Sequence, residues 1–312
     1  MIGNKFVKLI EKILPASVPK LVPIAFFVVV LIWSTTPLGI VWSSESVHPT
    51  MAVWLRMLIA LILGSVILGV ARIRLPWNRQ AIKLYAVSSI GIVGGMLLSY
   101  FAARWIASGT MSLIFGLSPL VSGLLAQRLL NEDKFSNMKK LALGIAFIGL
   151  GIVCSSHLSL SSDSGIGLAL ILTAMFLFSL SGVLVKRLAI NIHPVATTVG
   201  ALLFSTPQFG LAWLLFDGSM PIDTWQPRSL LSILYLGVFG SLIGFIAYFY
   251  ILQHLKASTV AQVTLVTPIF AIMLGAHANS EAITSILVAG ALCVLMGLGL
   301  YQFGDKLLKR KS

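Results

Sequence analysis

Charge is the scarcest property of this chain. Of 312 residues only 10% are Asp, Glu, Lys or Arg, and only nine of those are acidic. A soluble domain carries roughly 25% charged residues, so water is excluded as the solvent for most of the chain. Cysteine is nearly absent too. The two present, Cys154 and Cys293, both fall within apolar runs, where they read as small packing residues rather than a disulfide framework. No spacing of His, Cys, Asp and Glu matches a metal site, and no cofactor is expected. The longest polar loops run to only about a dozen residues, so no soluble catalytic domain hangs from them. The apolar runs hold no paired carboxylates for acid–base work. No catalytic residue is assigned, and the chain does not read as an enzyme.

What is present is hydrophobic length. Residues of apolar type make up 58% of the sequence, with a mean hydropathy of +0.99. Apolar runs fall at 21–43, 50–71, 81–103, 107–130, 139–158, 165–185, 194–216, 229–253, 257–279 and 281–303. Each is close to the roughly 20 residues a membrane-crossing helix needs. An all-α integral membrane protein with ten spans follows, with the lipid bilayer as its principal surroundings.

The basic residues test that count. Cytoplasmic loops carry an excess of Lys and Arg. With the N-terminus inside, the inner segments hold nineteen of the 22 Lys and Arg; only Arg104 and Arg228 fall outside, and Arg56 lies within the second span. Moving the frame by one span destroys this asymmetry, so both termini are expected in the cytoplasm. The net charge of +13 is then explained by orientation, and nucleic acid is not expected as a partner. Before the first span, "KFVKLIEKIL" sets Phe6, Leu9, Ile10 and Ile13 on one helical face and Lys5, Lys8 and Lys12 on another. Residues 1–20 thus read as a short amphipathic helix in the membrane interface. The run from Leu21 is too long for a secretory signal, and residues 304–312 form a basic tail.

The chain is also written twice. His-Pro recurs at 48–49 and 193–194, and Ser34 and Ser179 keep the same separation of 145. Gly91, Gly95, Thr110, Pro119 and Glu132 match Gly240, Gly244, Thr259, Pro268 and Glu281, each 149 residues on. The longer loop "DGSMPIDTWQP" (217–227) explains the change of offset. Residues 21–158 and 165–303 are therefore two five-span units. Five is odd, so the second enters the membrane inverted, a pattern of secondary transporters.

These repeats carry a resemblance. "WSTTPLGI" (33–40), "LRMLIAL" (55–61), "ASGTMSLIFGLSPLVSGLLAQRLLNE" (107–132) and "LALGIAFIGLGIV" (141–153), with second copies "KASTVAQVTLVTPIFAIMLGAHANSEA" (256–282) and "VAGALCVLMGLGL" (288–300), resemble the EamA family of the drug/metabolite transporter superfamily. Two departures stand out: Phe178 lies opposite Trp33, and no arginine lies opposite Arg56. The resemblance implies a bacterial inner-membrane protein that exports or exchanges small metabolites, amino acids prominent among them. It also implies that spans 1–4 and 6–9 surround a central cavity, with spans 5 and 10 at the side.

Polar groups buried in lipid are costly and mark function. Trp33 and Thr36 in span 1, Tyr100 in span 3, Ser118 in span 4, Tyr248 in span 8, and Gln262 and Thr264 in span 9 are the candidate substrate-binding residues. Packing, or an aromatic belt at the membrane surface, is the competing reading for the aromatic ones. Pro119 and Pro268 each fall at the centre of a span and read as paired hinges, freeing the carbonyls of Phe115 and Thr264. Arg56, some 9 Å deep at 1.5 Å per residue, reads as structural or gating, with carboxylate binding as its alternative. Glu132 and Glu281 read as structural or gating residues, most simply as caps at the starts of spans 5 and 10, where a helix dipole favours a carboxylate, with proton coupling as the alternative. No acidic residue lies at midplane, which favours neutral, zwitterionic or aromatic compounds moved down a gradient. The alternatives are a membrane-embedded enzyme acting on a lipid-linked substrate and a drug- or sugar-type transporter. The oligomeric state is not legible.

Overall fold

The computed structural model describes residues 19–158, 164–265 and 267–309. The amphipathic stretch at 1–18 and the last residues of the tail lie outside them. The described residues are helical and contain ten helices long and apolar enough to cross a membrane. In chain order these are α1 (Leu21–Ser43), α2 (Pro49–Val70), α3 (Arg79–Ala102), α4 (Ser108–Leu129), α5 (Asn137–Ser155), α6 (Ser164–Leu188), α7 (Pro194–Phe216), α8 (Pro227–His254), α9 (Ala257–Asn279) and α10 (Ser285–Gly304). In hydrocarbon every backbone N–H and C=O must find a partner inside the chain, which makes helix the default for such runs. Proline opens α2, α7 and α8 at a position where its missing N–H costs nothing. Asn78 starts α3 by accepting the Ala81 N–H at 2.8 Å.

Helix packing follows the repeat. α3 packs on α6 as α8 packs on α1, α3 on α7 as α8 on α2, and α4 on α6 as α9 on α1. The remaining principal pairs, α2 with α7, α4 with α9 and α5 with α10, join equivalent helices of the two units. These are the contacts that a twofold relation between the units generates. Glycine permits the closest of them. A Cβ built on Gly149 of α5 falls 2.7 Å from Val294 N and 2.8 Å from Gly290 O of α10, and one on Gly297 falls 2.8 Å from Ala142 O. α5 and α10 therefore meet backbone to backbone, a small-residue seam that substitutes for a hydrophobic drive absent between helices in lipid.

Two helices are broken at their centres and a third is widened. α4 consists of Ser108–Phe115 and Ser118–Leu129. α9 runs as Ala257–Val260, a 3-10 stretch Ala261–Leu265, and Thr267–Asn279. α8 contains a π-helical segment, Leu236–Ile243. The loops near residues 72, 134, 187 and 256 share one end of the bundle, the basic end. The opposite, far end carries the loops that follow Ser43, Ala102, Phe216 and Asn279.

Candidate functional site

The breaks in α4 and α9 begin with chemistry legible at sequence level. Pro119 and Pro268 lack the N–H that would hold the carbonyls of Phe115 and Thr264. In each case the hydroxyl just before the proline takes over. Ser118 Oγ donates to Phe115 O at 2.6 Å, and Thr267 Oγ1 donates to Thr264 O at 3.2 Å. Ser118 and Thr267 are repeat mates, 149 residues apart, and both are buried. The two breaks also touch: a Cβ on Gly116 falls 3.1 Å from Pro268 Cγ and 3.5 Å from Thr264 O. S118A combined with T267V strips both carbonyls of their hydroxyl partners. Each unmet buried group costs about 1–3 kcal/mol, so the double variant is expected to melt several degrees lower in detergent, whereas S155A, at an exposed site on α5, leaves the melt unchanged.

A central cavity of about 70 Å³ lies against these breaks. Trp33, Thr36 and Ile40 of α1, Gly95, Met96 and Ser99 of α3, Met111 and Phe115 of α4, Phe178 of α6, and Thr264 and Thr267 of α9 are among its walls, and among the described residues no charged side chain lines it. On its basic-end side a knot of rings closes it. Trp33, Phe178 and Tyr248 stand with all three centroid separations at 5.4 Å, and Phe115 adds an edge contact to Phe178 at 6.2 Å. Trp33 and Phe178 are 145 residues apart, so repeat mates meet at the centre of the molecule.

Beyond the rings lie two narrow gaps of about 10 Å³. Ser118, Ser122, Ser179, Gly182 and Tyr248 line one, and Ser88, Ser181, Phe245 and Phe249 help line the other. The second shares Val185 and Phe249 with a mouth of about 370 Å³ at the basic end, where Lys186, Asn191, Gln253 and His254 gather. A string of voids thus runs from the basic end to the central cavity, pinched at the rings.

The far end is shut by polar contacts. Glu281 Oε1 accepts the Ser108 N–H at 3.1 Å, and Oε2 accepts the Gly109 N–H at 3.2 Å. Asn279 Nδ2 donates to the same carboxylate at 3.2 Å, while Asn279 Oδ1 receives Trp42 Nε1 at 3.0 Å. Arg228 lies over the Trp42 ring at 4.3 Å and pairs with Glu45 at 3.5 Å. At the basic end Glu132 Oε2 accepts the Ser258 hydroxyl at 2.9 Å. Lys186 Nζ donates to Leu252 O and Gln253 O at 2.8 and 3.1 Å, covering the last carbonyls of α8. These contacts correct the expected place of the two glutamates. Both lie in loops before α5 and α10 rather than at those helix starts. Each reaches instead the start of a broken helix in the other unit, α9 for Glu132 and α4 for Glu281.

Among the expected binding residues, Trp33, Thr36 and Thr264 line the central cavity, and Ser118 and Tyr248 line the gap behind the rings. Tyr100 and Gln262 line neither. Tyr100 belongs to a buried cluster around Arg56, whose side chain is fully shielded. Arg56 Nε donates to Ser241 Oγ at 2.9 Å and Nη1 to Tyr100 OH at 3.5 Å, and Ser43 Oγ donates to the same hydroxyl at 3.3 Å. Ser241 sits on the π-helical turn of α8, and a Cβ on Gly240 falls 3.0 Å from Arg56 Nη2. Arg56 thus joins α2, α3 and α8, and it reaches no carboxylate in the described contacts. Phe178 was the main residue sequence reasoning left out of the site. Its offset of 145 from Trp33 was the signal.

The model of the EamA-like transporter family matches residues 20–155 and again 165–302. The chain belongs to the EamA-like transporter family. An uncharacterized transporter of Archaeoglobus fulgidus is 26% identical over 280 residues, covering 86% of this chain and 94% of its own. The uncharacterized transporter YoaV of Bacillus subtilis is 22% identical over 277 residues, covering 88% and 94%. The uncharacterized inner membrane transporter YedA of Escherichia coli K12 is 25% identical over 289 residues, covering 90% and 92%. A solved crystal structure superposes with a TM-score of 0.68 at 18% identity, covering 92% of this chain and 97% of that one. That likeness shows the fold of this EamA-like chain, and the two family matches fall on its two five-helix units.

On the far-end surface, a hollow of about 340 Å³ is lined by His48, Arg104, Asp217 and Trp225 among others, and none of its residues lines the central cavity. Arg104 only donates, so the 2.9 Å contact to His48 Nε2 leaves the ring proton on Nδ1, which faces Thr50 Oγ1 at 2.7 Å. Burial pushes the His48 pKa below its ordinary 6.5; Asp217 opposes this and Arg104 adds to it. The unfolded chain therefore takes the proton more readily, and stability is lost as pH falls below about 6.5. Thermal melts of the wild type should drop on going from pH 7 to pH 5, and H48Q should flatten that drop.

Proposed function

We propose that this chain is a secondary transporter that exports or exchanges small neutral, zwitterionic or aromatic metabolites, amino acids among them, by alternating access. The observation that supports this best is the uncharged cavity of rings and hydroxyls placed at the facing breaks of α4 and α9. Trp33, Thr36 and Thr264, with Ser118 and Tyr248 behind the rings, are the proposed substrate contacts. Pro119 and Pro268 are the proposed hinges. Ligand pockets usually run to about 300–1,000 Å³, so the 70 Å³ cavity takes a metabolite only when the ring knot moves. That need for movement fits a gate rather than a static pore. Without a carboxylate among its described wall residues, the cavity offers no acidic proton carrier, and transport down a gradient is the simplest mode. An inner-membrane location with both termini in the cytoplasm completes the reading.

The test is counterflow in liposomes holding purified protein and a panel of labelled amino acids and related metabolites. Flux of at least one neutral or zwitterionic compound, unchanged by an imposed pH gradient, is expected. Carriage of phosphorylated anions alone would overturn the substrate class. Turnover of a lipid-linked compound with no flux would overturn the transport reading.

A further inference from the structure

We infer that Glu281 and Glu132 are two latches of unequal strength, one at each end of the path, and that Gly275 against Ala126 sets which end rests closed. The inference rests on the alternating-access reading. Its starting point is a backbone repeated in detail. Asn131 and Ser280, 149 residues apart, both adopt positive φ, at 54° and 52°. The next residue in each case donates back across the helix end, Glu132 N to Ala126 O at 3.3 Å and Glu281 N to Gly275 O at 3.1 Å. A left-handed residue followed by an N–H that donates back into the last turn is a common way to end a helix; here the closing bond spans six residues in both copies. The turn brings each glutamate off its own helix and toward the broken helix of the other unit.

The side chains then differ. Glu281 is seated on two main-chain N–H groups at the start of α4, with Asn279 as a third donor. Unmet N–H groups and the dipole both favour a carboxylate there. Glu132 stops short, at the Ser258 hydroxyl. In the repeat relation, Ser108 and Gly109 correspond to Ala257 and Ser258, so the N–H groups of Ala257 and Ser258 form the matching seat for Glu132.

One pair of residues accounts for the difference. A Cβ on Gly275 would fall onto the Glu281 carboxylate and lie 2.8 Å from Ser108 Oγ. The mate of Gly275 is Ala126, which carries that Cβ and is fully buried. The far end therefore has an open seat and a fully engaged latch, and the basic end has an obstructed seat and a partial one. The voids agree: they lead in from the basic end and stop beneath the latched far end. When the path switches, Glu281 leaves its seat and the basic-end latch takes up more of the load.

Accessibility of a single cysteine separates this from simple helix capping. In protein whose Cys154 and Cys293 are alanine, S112C, at a residue of α4 that lines the central cavity, reports on that cavity, and a membrane-impermeant maleimide is applied to intact and to inverted vesicles. E281Q and G275A are each expected to raise labelling from the far-end side at least about fivefold and to lower it from the basic-end side. A126G, which frees the matching seat for Glu132, should shift labelling the same way. E132Q should leave far-end labelling as it is, or reduce it. Equal effects of E281Q and E132Q on both faces would overturn the inference, as would no shift with A126G in protein that still elutes as one folded species. If labelling shifts as expected while no compound in the panel is carried, the latches stand and the transport reading falls.

Discussion

Replacing Trp33 with alanine is expected to cut substrate flux in liposomes by about tenfold or more, while W33F keeps most of it. Trp33 forms two of the three ring contacts in the knot and lines the voids on both of its sides. Each aromatic pair is worth about 0.5–1.5 kcal/mol beyond its buried area. Losing two pairs removes about 1–3 kcal/mol from the constriction, and 1.4 kcal/mol is a factor of ten. Alanine also joins the 70 Å³ cavity to the gap behind it, so the closed form loses its partition. Phenylalanine keeps a ring in the same place. A single-ended thiol assay at T264C should then show labelling from both sides in W33A and from one side in W33F. Undiminished flux in W33A would remove the ring knot from the transport path.

Gly149→Leu is expected to cost about 3 kcal/mol or more, because the new side chain meets main-chain atoms that cannot turn away. The position of its Cβ is already occupied to within 2.7 Å by Val294 N and 2.8 Å by Gly290 O. Overpacking in an ordinary core costs typically 1–3 kcal/mol, because side chains give way; here the backbones of α5 and α10 must part. The expected result is a sharp fall in melting temperature in detergent. α5 and α10 supply none of the residues around the central cavity, so whatever folded G149L survives should carry substrate at the wild-type rate per molecule. Loss of rate at full stability would place α5 within the moving parts.

Ten spans, the inverted repeat and both midplane prolines were legible because each rests on a local rule. Hydrocarbon thickness sets the run lengths, and proline removes one N–H wherever it stands. Trp33, Thr36 and Thr264, which line the central cavity, stand out in the sequence by polarity and depth. What the sequence hid were contacts between units. Phe178 looked like an ordinary apolar residue until its mate, Trp33, came to lie against it. Tyr100 carries the same hydroxyl as Tyr248, yet near the end of α3 the Arg56 guanidinium claims it, a contact that no sequence pattern announces. Glu132 and Glu281 were assigned to the nearest following helices. The left-handed turns at Asn131 and Ser280 send them across the molecule instead, and spacing along a chain carries no record of that.

The crossed glutamates also bear on how the chain is made. The partner that completes α4 follows Ser108 by 173 residues, whereas Glu132 precedes Ser258 by 126. During synthesis Glu132 is in place before Ser258 emerges, but Ser108 and Gly109 must wait for nearly the whole of the second unit. The start of α4 therefore gains its carboxylate partner only after α9 has been made. A chain stopped before residue 281 would leave that end of α4 without its carboxylate partner.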